Sequence, residues 1–66
     1  MRLICNGKTM TIRDGMSLEE LIQELELNPD AVVAECDGRI ARREEYATSI
    51  LKDGMVVELI RFVGGG

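Results

Sequence analysis

Histidine and tryptophan are absent from this sequence, and proline, phenylalanine and tyrosine occur once each. Without histidine, the usual general base and the usual metal ligand near neutral pH are both missing. Two cysteines, Cys5 and Cys36, are too few for a disulfide framework or a zinc site. No apolar run approaches the roughly 20 residues of a membrane-spanning helix. The opening MRLICNGK turns polar at Asn6, too early for the apolar stretch of about 7–15 residues in a secretory signal. A cytoplasmic protein with no membrane partner is expected. Positive charge is also scarce, with eight Lys and Arg against twelve Asp and Glu, a net charge of −4. No basic cluster offers itself to nucleic acid, and an acidic surface suits a partner with a basic face. A chain of 66 residues leaves little room for a walled active-site pocket of several hundred Å3. The expectation is a binding or carrier module that is not an enzyme and binds no metal or cofactor of its own.

What is present is well patterned. MRLICN alternates, with Met1, Leu3 and Cys5 on one face, and only Ile4 breaks the rule on the other. Asn6–Gly7 is a type I′ hairpin signal, because both residues tolerate positive φ. KTMTIR then returns as a second strand, closed by Asp14–Gly15. In SLEELIQELEL, Ser17 and Glu20 form a capping box, and Leu18, Leu21, Ile22 and Leu25 draw one apolar stripe. That helix is expected to run to Asn28–Pro29, since the residue before proline avoids the α region. AVVAEC is a third strand, Asp37–Gly38 a turn, and RREEYATSIL a loop or single helical turn. MVVELIRFV is the last strand, with Val57, Leu59 and Arg61 alternating against Val56, Glu58, Ile60 and Phe62. One charge on each face leaves its inward side open, and apolar residues on both sides place it mid-sheet. Hairpin, helix, strand, irregular segment and strand together predict an α+β fold. A mixed four- to five-stranded sheet would grasp one main helix, with the first and last strands parallel at its centre. This is the β-grasp, or ubiquitin-like, arrangement, over residues 1–63.

Residues 64–66 are set apart as a glycine tail. Gly64, Gly65 and Gly66 lack Cβ atoms, and extended they reach roughly 10 Å, enough to thread a channel too narrow for side chains. A carboxylate at the tip is a poor electrophile until ATP converts it to an acyl-adenylate, which a sulfur or nitrogen nucleophile can attack. A flexible end or a cloning remnant has the same composition, so glycine content alone leaves both readings open.

Taken together, the segments resemble the ThiS family of sulfur-carrier proteins of thiamine biosynthesis. MRLICNGK is similar to that family's opening strand and turn, and LEELIQELEL to its helix. VAECDGRIARREEY resembles its V-A-x-x-N-G-x-I-V-P-R-x-x-[WY] segment, and LKDGMVVELIRFVGGG its closing L-x-D-G-D-x-[IV]-E-[IV]-x-x-x-x-G-G, with one extra glycine. The chain departs from the pattern at Asp37, Ala41, Arg42 and Met55. The resemblance implies that a ubiquitin-activating-like adenylyltransferase consumes ATP to adenylate the Gly66 carboxylate. Sulfur from a donor such as a cysteine desulfurase then leaves a thiocarboxylate, which a thiazole synthase accepts. Gly64 and Gly65 would thread the partners' active sites, and the carrier would catalyse nothing.

Other pathways use the same design, including molybdopterin synthase small subunits and carriers for cysteine or other sulfur metabolites. A ubiquitin-like protein modifier and a plain β-grasp interaction module also remain open. Next to the tail, Phe62 is a candidate docking anchor or an ordinary packed sheet residue, and Arg61 a steering charge or a solvated one. Cys5 and Cys36 are expected to be buried and inert. Glu19, Glu20, Glu24 and Glu26 read as a solvated helix face, and RREE as a mixed-charge surface loop.

Overall fold

In the computed structural model, which describes residues 1–62, both Asx–Gly pairs take up the backbone their residue types favour. Asn6 and Gly7 have φ of 51° and 80°, and Asp37 and Gly38 have 49° and 83°, as a type I′ turn requires. The first turn joins β1 (Arg2–Cys5) to β2 (Lys8–Thr11), and the second joins β3 (Val32–Cys36) to β4 (Arg39–Ala41). Both hairpins are antiparallel. The last strand, β5 (Val56–Arg61), lies between them, parallel to β1 and antiparallel to β3, in the order β2-β1-β5-β3-β4.

The turn residues do more than reverse the chain. Asn6 Oδ1 accepts a hydrogen bond from the Leu59 N–H, and Asp37 Oδ1 accepts one from the Val56 N–H, each at 2.8 Å. Each hairpin thus fastens one side of the central strand through its own turn. Only an acceptor oxygen is needed there, so Asp37 serves where the family pattern has Asn.

Helix α1 (Leu18–Glu24) begins as the sequence predicts. Ser17 Oγ accepts from the Glu20 N–H at 3.1 Å, and Glu20 Oε1 accepts from the Ser17 N–H at 2.8 Å. Of the four N–H groups that a helix start leaves unpaired, two remain for other partners. The Leu18 N–H donates to the Ser49 carbonyl and the Glu19 N–H to the Tyr46 carbonyl, at 2.8 and 2.9 Å. The segment expected as a loop or single helical turn, which has a 3₁₀ turn at Arg43–Glu45, is therefore pinned to the helix start. The buried Tyr46 adds a hydroxyl bond of 2.6 Å to the Val32 carbonyl.

The helix ends earlier than its stripe suggests. Leu25 caps it, half-exposed, and Glu26 turns left-handed at φ 61°. The Leu27 N–H reaches back to the Ile22 carbonyl and the Glu26 N–H to the Gln23 carbonyl, which is a Schellman ending. That reversal carries Leu27, not Leu25, against the core. Pro29 instead opens a 3₁₀ turn, Pro29–Ala31.

Leu18, Leu21 and Ile22 of α1 pack on Leu3, Cys5, Val32, Ala34, Val57 and Leu59 of the sheet, with Met16, Tyr46 and Leu51 closing the edges. The helix covers one face of the sheet, and the other face is left open.

Candidate functional site

The open face follows from strand parity. Since side chains alternate along a strand, burying Leu3, Cys5, Val57 and Leu59 turns Ile4, Val56, Glu58 and Ile60 outward. Registers place Ile4 beside Val56, Val33 beside Ile60, and Glu35 between Glu58 and Ile40. Six apolar side chains stand in solvent here: Ile4, Val33, Ile40, Val56, Ile60 and Phe62, from 37% exposed at Val33 to 69% at Ile40. Isolated exposed apolar residues are ordinary, but six on one sheet face, flanking the paired Glu35 and Glu58, are more than scattered exposure.

Phe62 extends that surface toward the tail. Its N–H donates to the Ala31 carbonyl at 3.1 Å, just past the end of β5, and the residue is 48% exposed. It stands on the open face and is not part of the buried core. Arg61 points to the opposite, helix-covered side at the sheet's end and is also exposed. Gly64, Gly65 and Gly66, with Val63, lie outside the described residues.

The structure gives the other candidate groups quieter roles. Cys5 is buried and Cys36 half-buried, both free thiols. Burial pushes the Cys5 thiol up, with Glu58 adding to it, and burial pushes Cys36 up, with Asp37 adding. A raised thiol pKa lowers the thiolate fraction and hence reactivity. Cys36 borders a shallow depression of ≈ 350 Å3 beside Arg39, Ile40, Lys52 and Met55. Among the described residues, no group of three or more Cys, Asp or Glu is placed to hold a metal ion. No described helix is long and apolar enough to cross a membrane. Arg43 bonds both Glu19 and Asp30 and lies over the Tyr46 ring at 5.1 Å. Arg42 pairs with Glu44, so the RREE segment is engaged locally.

Sequence reasoning did not pick out Ile4, Val33, Glu35, Ile40, Val56, Glu58 and Ile60 as one surface. The usable signals were Ile4, the exception to the alternation of β1, and the two-sided apolar character of β5.

A five-stranded mixed sheet closed over one helix, with parallel β1 and β5 at its middle, defines a ubiquitin-like β-grasp protein. The chain belongs to the ThiS family, whose family model matches residues 3–66. Among solved structures, it is similar to a thiamine biosynthesis protein (ThiS) from Geobacter metallireducens. The crystal structure of that protein matches with a TM-score of 0.85 and 33% identity, covering 100% of both chains. Its solution structure gives a TM-score of 0.82 over all of this chain and 88% of the other. A thiazole synthase of Paramagnetospirillum magneticum is 32% identical over 66 residues. A thiazole synthase of Magnetococcus marinus is 29% identical over the same length. This chain spans 20% of the length of each of these two relatives. The sulfur carrier protein ThiS of Escherichia coli is 26% identical, with both chains covered in full.

Proposed function

We propose that this chain is a cytoplasmic sulfur carrier for thiazole formation in thiamine biosynthesis, itself without catalytic activity. The observation that carries the reading is the reach of the family match, which runs from Leu3 through Gly66 and so takes in the tail with the fold. An adenylating enzyme joins the Gly66 carboxylate to AMP and releases pyrophosphate from ATP. A persulfide sulfur from a desulfurase attacks the acyl carbon and AMP leaves. A thiol then cleaves the resulting S–S bond, and the thiocarboxylate remains on Gly66. A thiazole synthase takes the sulfur and returns the carboxylate. The similarity to a segment of two longer thiazole synthases supports that enzyme as the acceptor. The open sheet face supplies the surface from which partners hold the carrier while Gly64 and Gly65 thread their active sites.

Intact mass spectrometry tests this directly. With ATP, a cognate adenylating enzyme and a sulfur donor, the chain is expected to exchange one oxygen for sulfur. Deleting Gly65–Gly66 is expected to abolish the exchange and leave thermal unfolding unchanged. Conjugates of higher mass to other proteins identify a protein modifier instead. An unmodified chain beside a demonstrably active enzyme overturns the reading.

A further inference from the structure

The middle of the open face carries two carboxylates where a purely apolar docking surface would have none. Glu35 on β3 and Glu58 on β5 are direct cross-strand partners. Such partners have Cβ atoms about 4.5–5.5 Å apart, and like charges at that spacing disfavour the fold. Among the described residues, neither carboxylate has a hydrogen-bond or ion-pair partner, whereas the guanidinium groups of Arg13, Arg42 and Arg43 all bond carboxylates elsewhere. Along the strands the pair is bracketed by Val33–Ile60 on one side and Val56–Ile4 on the other, with Ile40 beside Glu35.

We propose that Glu35 and Glu58 receive a single arginine side chain from the adenylating enzyme, and that this contact selects which enzyme seats on the open face. The inference rests on the carrier reading above and names the chemistry of the surface that meets it. A guanidinium is planar and presents five donors in a fixed fork, so it can bond two carboxylates on adjacent strands at once with paired, directed bonds; an ammonium meets them as a compact point charge without that fork. The surrounding apolar side chains exclude water as the surfaces close, which strengthens charge-assisted bonds. A second copy of this chain does not fit the same face. An isologous pairing would bring four carboxylates together between two molecules that each carry a net charge of −4.

The test is the carrier dependence of ATP-driven pyrophosphate release by the cognate adenylating enzyme. For the double variant Glu35→Gln, Glu58→Gln, the KM for the carrier is expected to rise about tenfold or more, as for loss of a desolvated charge contact. The kcat is expected to stay within about twofold, because the tail and its carboxylate are untouched. The wild-type KM is expected to rise with ionic strength, and that of the double variant to rise much less. Thermal unfolding is expected at the same or a higher temperature, since a repulsive pair has been removed. Glu24→Gln, on α1 at the opposite side of the sheet, is expected to behave as wild type. A KM within twofold of wild type overturns the proposal, and so does a raised KM with unchanged salt dependence. Wild-type carrier that gains no sulfur at any concentration fails the carrier reading itself, which distinguishes the two failures.

Discussion

Glu26 occupies a backbone position that an L-residue with a long side chain takes up reluctantly. Its φ of 61° sits in the left-handed region, where Cβ crowds the following carbonyl and where glycine is the usual residue at the end of a helix. Glu26→Gly is therefore expected to stabilise the fold by about 1 kcal/mol, less whatever extra freedom glycine gives the unfolded chain. For a domain of this size the melting temperature should rise by about 4–8 °C. Glu26→Ala removes the same side chain but keeps the Cβ, so thermal unfolding of that variant should show no such gain. This position was not legible in the sequence, because ELELN continues both the helical period and the acidic pattern. The decision is made by Leu27, which reaches the core only if the chain reverses at Glu26. Asn6 and Asp37 were legible for the opposite reason. Their left-handed conformation is a local property of an Asx–Gly pair, expressed wherever the chain needs a two-residue turn.

Seven residues of helix do not stand alone in water, so α1 depends on its caps and on the core beneath it. The start of α1 could be read because the capping box lies within four consecutive residues. The hold of Tyr46 and Ser49 on its first two N–H groups could not, since those bonds are between backbone atoms distant in sequence. Glu20 makes the capping box titratable. Its carboxyl is held below the ordinary value of 4.5, first by the Ser17 backbone N–H, then by the Ser17 hydroxyl, with Arg13 assisting. A carboxyl depressed in the folded state contributes stability that is fully present above its unfolded pKa and is lost as pH falls through its folded pKa. Wild-type stability should therefore decline as pH drops below about 4.5. Glu20→Gln keeps an oxygen acceptor for the Ser17 N–H and removes this titration. Urea midpoints measured from about pH 6 to pH 3 should fall less steeply for the variant. Some slope should persist, because Glu44 is likewise held low, chiefly by its bond to Arg42. Equal slopes would show that the capping carboxylate does not contribute.

At the scale of the whole molecule, β5 has one buried and one open face, and its sequence alone did not say which was which. Val57 is 0% exposed under the helix and Ile60 is 58% exposed on the open side, though both are β-branched residues of one central strand. The choice depends on packing: the stripe of α1 has to land on one side, and the registers with β1 and β3 then fix every other residue. Val57→Ala should cost about 2 kcal/mol, as the loss of buried carbon and the cavity left behind add together. In a domain this small that lowers the melting temperature by roughly 10 °C, while adenylation of the molecules that remain folded should be unimpaired. Ile60→Ala should change stability by under about 1 kcal/mol, because the removed atoms already face water. Its effect should fall on partners, raising the carrier KM in the adenylation assay without altering kcat. Under the proposed function, in which both enzymes hold the carrier by the face that Phe62 extends, the same variant should also weaken transfer to the thiazole synthase. If Ile60→Ala proves as destabilising as Val57→Ala, the open face belongs to the fold's own packing. If it leaves both enzymes' KM unchanged, partners hold the carrier by some other surface.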